Sequence, residues 1–478
     1  MSQNFPLMIP GARPAGTHKV TAPFDGAHIA DCETAGAEAV QTALKTAHNL
    51  YTNRDGWIKA PQRIEILRKT AQLMTENAEE LSVEAAREGG KPLVDSRVEV
   101  ARAIDGMQIL IETLRTEGGR EIPMGINAAS LNRLAFTRYE PRGVVVAVSA
   151  FNHPLNLIVH QVGPAVAVGA PVIVKPASDT PLSCLRFVKF LHESGLPPEW
   201  CQSAVITDRK AATDLVTDPR VAFFTFIGSA DVGWGLRSKL APGTRCSLEH
   251  GGVAPVIVAE DADLDDAVPL LTKAGFYHAG QVCVSVQRVF AHESIAKSVA
   301  EKIAESASAL KTGDPTLPDT DVGPLIRNKE NDRVSEWVDE AVKAGGELMC
   351  GGSKISASCY SPTVVYNPPA DSKLSFSEVF GPVVAVYPYK DMDEAIGRAN
   401  SLPFAFQAAV FTKDIDRAMR AYSRLDASAV MINDHTAFRV DWMPFAGLRV
   451  SGLGVGGMPY AMHDMRIEKM MVMRSKEL

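Results

Sequence analysis

Val144 to Lys175 reads VVVAVSAFNHPLNLIVHQVGPAVAVGAPVIVK, and its organisation decides the fold. From Gly143 to Val174 it carries no acidic or basic side chain except two histidines, His153 and His160. It is too interrupted by polar residues and prolines (Asn152, Pro154, Asn156, Gln161, Pro164) to span a bilayer. The pattern predicts a buried strand over 144–148, a buried helix over 155–168 and a second buried strand over 171–174. Both strands are continuous apolar runs, as strands covered on both faces are.

The same alternation extends outward. Helices are predicted over 181–193, 211–216 and 229–240, with strands over 203–206, 221–226 and 244–248. A second series follows Pro255, with helices over 264–279, 295–309, 331–344 and 392–400. Its strands fall over 286–290, 361–365 and 383–387. Strands alternating with helices of this length build βαβ units around a mostly parallel sheet. Before residue 120 the chain reads as helix after an irregular start, over 38–49, 63–87 and 96–116. The expectation is an α/β protein with two open lobes and a short strand, 131–139, outside both.

Composition narrows the function classes. The chain has 478 residues, 46% hydrophobic and 22% charged, with net charge −7. Such a chain can bury a large core, and no basic surplus marks a nucleic-acid surface. No signal peptide or membrane span is expected, and a cytoplasmic protein is. Seven cysteines occur without a CxxC pair, which argues against a disulfide framework or a bound metal.

Four places could carry chemistry. Phe226-Ile227-Gly228-Ser229 ends a strand and starts a helix, where free N–H groups receive phosphates; it is equally the pattern of an ordinary junction. Lys175 and Glu249 stand at strand ends, where α/β sheets bind ligands, and either is also readable as a solvated charge. Cys283 lies in a loop between a helix and a strand, whereas Cys246 falls inside a strand. A nucleophilic thiolate wants a partly exposed, electropositive setting.

Taken in order, Phe151-Asn152-His153-Pro154, Lys175-Pro176-Ala177-Ser178, Phe226-Ile227-Gly228-Ser229 with Gly233, Leu248-Glu249-His250-Gly251-Gly252, Gly280-Gln281-Val282-Cys283, Glu378-Val379-Phe380-Gly381-Pro382 and Pro444-Phe445-Ala446-Gly447 form a series. The series resembles the NAD(P)-dependent, non-phosphorylating aldehyde dehydrogenase superfamily, in its lactaldehyde- and phosphonoacetaldehyde-dehydrogenase-like branch. The resemblance runs from about Thr21 to the end.

It implies a Rossmann-like cofactor domain (1–119 and 141–250), an α/β catalytic domain (251–445), and an oligomerisation arm with C-terminal tail (120–140 and 446–478). It further implies a homodimer or homotetramer acting on a small aldehyde with NAD or NADP. Cys283 is implied as nucleophile, Asn152 with the Cys283 N–H as oxyanion hole, and Glu249 as the base that activates water. Lys175 is implied at the adenosine ribose, Gly228, Ser229 and Gly233 at the pyrophosphate, and Glu378 and Phe380 at the nicotinamide end. Phe151, Ser178, Phe226, Val232 and Gly251 complete the implied cofactor contacts.

Several positions depart from the family pattern. Ser178 replaces a frequent glutamate that would repel a 2′-phosphate, and a usual glycine-rich stretch is absent around 206–210. Arg209 or Lys210 could meet that phosphate, or both could be surface cations. His153, His435 and Arg439 suggest a short aldehyde with an anionic or hydroxylated tail. The alternative has His153 hydrogen-bonded within the wall and Arg439 in a surface ion pair. Val282 stands where phosphonate-using members often have arginine, which weakens a phosphonate or phosphate substrate. His250 replaces a usual leucine beside Glu249. Two rival activities use the same thiol: a CoA-acylating dehydrogenase and a cofactor-independent thiol esterase. A redox-dead structural or binding protein on the same fold would be free to lose Cys283, Glu249 and Asn152, which are intact.

Overall fold

The computed structural model describes residues 3–478. The strands read around Val144 form a six-stranded sheet in the order Gly452–Leu453, Arg245–Glu249, Val221–Ile227, Val144–Val148, Val172–Lys175, Cys201–Ser203. All pairs are parallel except the edge strand Gly452–Leu453. Val145 and Ala147 enter one apolar cluster, with the wholly buried Asn156–Val168 helix. Val144 and Val146 enter another on the opposite face. Burial on both faces explains why these strands show no polar alternation.

The order reverses at Val144–Val148, whose neighbours are the next strand in sequence on one side and a later strand on the other. Crevices at the carboxyl ends beside such a switch point are where open α/β sheets bind ligands. Asn152, Lys175, Gly228 and Glu249 all follow or finish strands at those ends.

The second lobe is a seven-stranded sheet, in the order Glu347–Cys350, Thr363–Tyr366, Val383–Tyr389, Arg288–His292, Pro255–Val258, Gln407–Phe411, Ala429–Ile432. Only the first of these runs antiparallel to its neighbour. A third element pairs Arg466–Arg474 with Arg133–Pro141 over nine residues. Met470 to Met473 are exposed along its edge.

Several expectations need correction. The irregular start contains a three-stranded sheet, Gln3–Phe5, Gly16–Thr21 and His28–Thr34. The helix expected over 63–87 is two, Ala60–Glu76 and Ala78–Gly89, broken at Asn77, whose side-chain amide donates to the Leu73 carbonyl at 2.8 Å. The strand expected over 203–206 is Cys201–Ser203. Residues 446–465, expected with the arm, divide between the lobes: Leu448–Arg449 pairs with Phe404–Ala405, Gly452–Leu453 edges the first sheet, and Met458, Met462 and Met465 join the first lobe's core. Among the described residues no helix is long and apolar enough to cross a membrane.

A buried carboxylate fixes the start of the central helix. Glu99 accepts from the N–H groups of Leu155 and Asn156, both at 2.9 Å, and pairs with Lys91; both side chains are fully buried. Truncating one member of a buried pair strands the other charge, at a cost of about 3–5 kcal/mol. Glu99→Ala is therefore expected to lower the thermal unfolding temperature clearly. An unchanged melting curve would show that Lys91 finds another partner.

Candidate active site

A cavity of about 900 Å³ opens at the carboxyl ends of the first sheet and continues to the second lobe. Of the residues expected in a site, all but Gly233 line it.

Cys283 is set by an unusual backbone. His278, Ala279 and Gly280 have φ of +49°, +54° and +69°, three left-handed residues in succession. Non-glycine residues held there cost about 1–3 kcal/mol each and persist where surroundings dictate them. At Gly280 a Cβ would lie 2.0 Å from the Gly381 carbonyl oxygen, so only glycine fits. Gln281 locks the turn: its amide nitrogen donates to the His278 and Pro324 carbonyls, and its amide oxygen accepts from Ile326 N–H at 2.9 Å. The helix expected to run to residue 279 ends at Phe276 for this reason. Cys283 then packs beside Val282, Val284, Phe406 and Phe445.

Glu249 arrives from the other lobe. Its Oε1 lies 3.8 Å from Cys283 Sγ. Asn152 Nδ2 donates to the Gln281 carbonyl at 2.9 Å, which orients the amide and leaves its second hydrogen free. Burial pushes the Cys283 thiol well up, Glu249 pushes it further, and Arg439 opposes both. Burial also raises Glu249, against Arg439 and the thiol hydrogen bond. The electropositive setting expected around the thiol is thus reduced to one nearby cation, Arg439.

Arg439 is not at the surface. Its side chain is 10% exposed, its guanidinium lies 3.6 Å over the Phe445 ring, and its buried Nε makes no hydrogen bond but lies 4.0 Å from Asp441 Oδ1. His153 is hydrogen-bonded within the wall, to Tyr277 Oη at 3.2 Å, and still lines the cavity. Burial and neighbouring cations hold it well below the usual histidine range, so it contributes no positive charge. His435 is likewise lowered by burial.

Arg102 is a lining residue that local sequence did not reveal, because on a long helix it reads as a solvated charge. Its guanidinium makes a two-pronged bond to Asp441, at 2.7 and 3.0 Å. Asp441 also meets His160 Nε2 at 2.7 Å. Burial works against that carboxylate, but His160 and Arg102 hold it well below the ordinary range.

The remaining cavity fits a dinucleotide. Lys175 lines one end, its ammonium lowered by burial. Ser178 carries no charge there, and Arg209 also lines the wall, whereas Lys210 is drawn away to Asp214 at 2.6 Å. Phe226, Ser229 and Val232 follow, with Val232 half exposed at the first turn of the Ala230–Arg237 helix. Phe151 and Phe380 meet edge to face, with centroids 5.9 Å apart. Glu378 accepts from Gly252 N–H at 3.0 Å and is pushed by burial up to about 7. It occupies the space a Cβ on Gly251 would need. Gly233, expected at the pyrophosphate turn, instead faces the His250 ring.

A thiol, an amide donor and a carboxyl thus converge beside a cavity large enough for a dinucleotide. The family model described as Aldehyde dehydrogenase family matches residues 11–471, and the chain belongs to that family. Its members are NAD(P)-dependent oxidoreductases. The chain is 38% identical over 444 residues to the 3-sulfolactaldehyde dehydrogenase of Priestia aryabhattai, covering 93% of this chain and 92% of that one. It superposes on the aldehyde dehydrogenase 21 of Physcomitrella patens, solved with the reaction product succinate, with TM-score 0.95 and 34% identity, covering 99% of each chain. It also superposes on the Methanocaldococcus jannaschii glyceraldehyde-3-phosphate dehydrogenase complexed with NADP, with TM-score 0.91 and 33% identity, covering 97% of this chain and 100% of that chain. The family resemblance and the α/β fold read from the motifs are both borne out.

Proposed function

We propose that this aldehyde dehydrogenase oxidises a short aldehyde with an anionic or hydroxylated tail, through a covalent adduct on Cys283 that water resolves with Glu249 as base. The convergence of Cys283, Glu249 and Asn152 carries this reading. The Cys283 sulfur adds to the aldehyde carbon while its proton passes to Glu249. The Asn152 amide and the Cys283 N–H hold the oxygen that becomes negative; one such donor is worth about 2.7–4 kcal/mol in comparable sites. When bound, the nicotinamide dinucleotide supplies the hydride acceptor, leaving a thioester on Cys283. Glu249 first gives up the thiol's proton to solvent, then takes a proton from water, whose oxygen attacks the thioester; the acid leaves as Glu249 returns that proton to sulfur. Lys175, Ser229, Glu378 and Phe380 would hold the dinucleotide. The proximity of Glu249 to Cys283 favours hydrolysis over transfer to CoA, and the dinucleotide-sized cavity favours oxidation over plain esterase action.

A cation in the cavity wall supports the anionic tail. Lys273 is matched by Asp95 at 2.6 Å and Arg102 by a close bond to Asp441, while Arg439 meets that carboxylate only at 4.0 Å. Succinate, bound in the Physcomitrella relative, and sulfolactaldehyde, named for the Priestia relative, both carry an anionic group beyond the reacting carbon. For the cofactor, a neutral Ser178 and the cavity-facing Arg209 support acceptance of NADP as well as NAD.

Four outcomes follow. Glu249→Gln should release NAD(P)H slowly, to no more than one equivalent per site, and then stall as the thioester; continued turnover beyond one equivalent refutes Glu249 as the base. Since burial raises the Glu249 carboxyl, it keeps its proton to higher pH than a free glutamate. Wild-type thioester hydrolysis should therefore fall as pH drops through that raised value, and the fall should vanish in the variant. Arg439→Met should raise KM for succinic semialdehyde or sulfolactaldehyde at least tenfold more than for propionaldehyde; equal changes would remove the anionic tail. For dual cofactor use, kcat/KM for NAD and NADP should differ by less than ~1,000-fold, about 4 kcal/mol. A larger preference for either overturns it.

A further inference from the structure

His250 follows the base Glu249, yet its ring turns to the opposite task. It is 2% exposed, and Nδ1 lies 2.8 Å from the Gly228 carbonyl oxygen, so Nδ1 carries the hydrogen and donates it. The ring sits between Phe226 and Trp234, with centroids 5.7 and 6.0 Å away. A Cβ on Gly233 would lie 2.0 Å from its Cε1, so the first turn of the Ala230–Arg237 helix rests directly on the ring. Its Nε2 is buried without a partner. A leucine would fill this apolar nest and leave no polar atom stranded; the one thing histidine adds is the bond to Gly228.

That bond sets a peptide plane. In a trans peptide the C=O of one residue and the N–H of the next point in opposite directions. Drawing the Gly228 carbonyl towards His250 therefore turns the Ser229 N–H the other way, and Gly228 and Ser229 both line the cavity. Among the described residues Ser229 N–H has no partner, and no side chain caps the helix that begins there. Glycine at 228 leaves this peptide free to rotate. Rotated, it would present a carbonyl oxygen where an anion is to bind.

We propose that His250 is a positioning residue for the dinucleotide: its Nδ1–H holds the Gly228–Ser229 peptide so that the Ser229 N–H is offered to the diphosphate. The inference rests on the cofactor reading above. Titration of NADPH by calorimetry tests it without turnover. His250→Leu and His250→Gln should bind at least tenfold more weakly than wild type, with His250→Leu melting no lower. His250→Asn, whose side-chain amide can take the place of Nδ1, should bind within threefold of wild type. In the wild-type protein, nitrogen NMR of labelled histidine should show His250 with its hydrogen on Nδ1. Unchanged affinity in His250→Leu, an Asn variant as weak as the Leu one, or hydrogen on Nε2 would each overturn the assignment. If wild-type protein binds no dinucleotide, the cofactor reading fails instead.

Discussion

Glu249 and Cys283 reach each other across 3.8 Å from different lobes, and the rest of the molecule is arranged around that approach. Neither lobe holds a site alone. The docking is carried by side chains that cross the boundary: Lys273 to Asp95, Arg102 to Asp441, Arg327 to Asp179, and a backbone bond from Leu93 to the Pro315 carbonyl. Asp441 is the densest of these junctions, because it takes hydrogen bonds from Arg102 and His160 while almost fully buried. Removing its partners would leave a charge in a place that water cannot reach.

The same approach explains where the backbone departs from its preferences. Three left-handed residues precede the thiol loop, and Phe380 and Ala254 also have positive φ near the cavity. Each non-glycine residue among them resists its own conformation, so the surrounding cores must over-determine it. Gly280 against Gly381 and Gly251 against Glu378 show the means, since both contacts are too close for a side chain. Strain and close approach concentrate where the second lobe meets the first.

Much of this was legible from residue order. Continuous apolar runs around Val144 gave the doubly covered sheet, and strand-end positions placed Lys175, Glu249 and Gly228 on one rim. The three-stranded sheet at the start was not legible: its strands carry His18, Lys19, Asp31 and Glu33 between short apolar residues and lack a long periodic pattern. Arg102 was hidden because a charge on an amphipathic helix looks the same whether it faces water or a cavity. Gly233 was assigned to the pyrophosphate turn by position along the chain, whereas its reason for being glycine is a ring supplied seventeen residues later.

The electrostatics of the pair tie the proposed chemistry to one cation. Two groups 3.8 Å apart in a poorly hydrated pocket do not ionise independently, and the first negative charge raises the cost of the second. Burial disfavours charge on both Sγ and Glu249, and Arg439 favours it on both. A second negative charge is therefore opposed more strongly than the first, and Arg439 is the cation that offsets the first. On the proposed reading this is what the cycle requires. The proton sits on Glu249 while sulfur attacks, and Glu249 must be free of it when water attacks the thioester. A cation serving both partners lets the charge move between them without a large change in the energy of the pocket. The stacking of Arg439 on Phe445, and its Nη2 3.4 Å from His160 Nδ1, keep that cation in place through both halves.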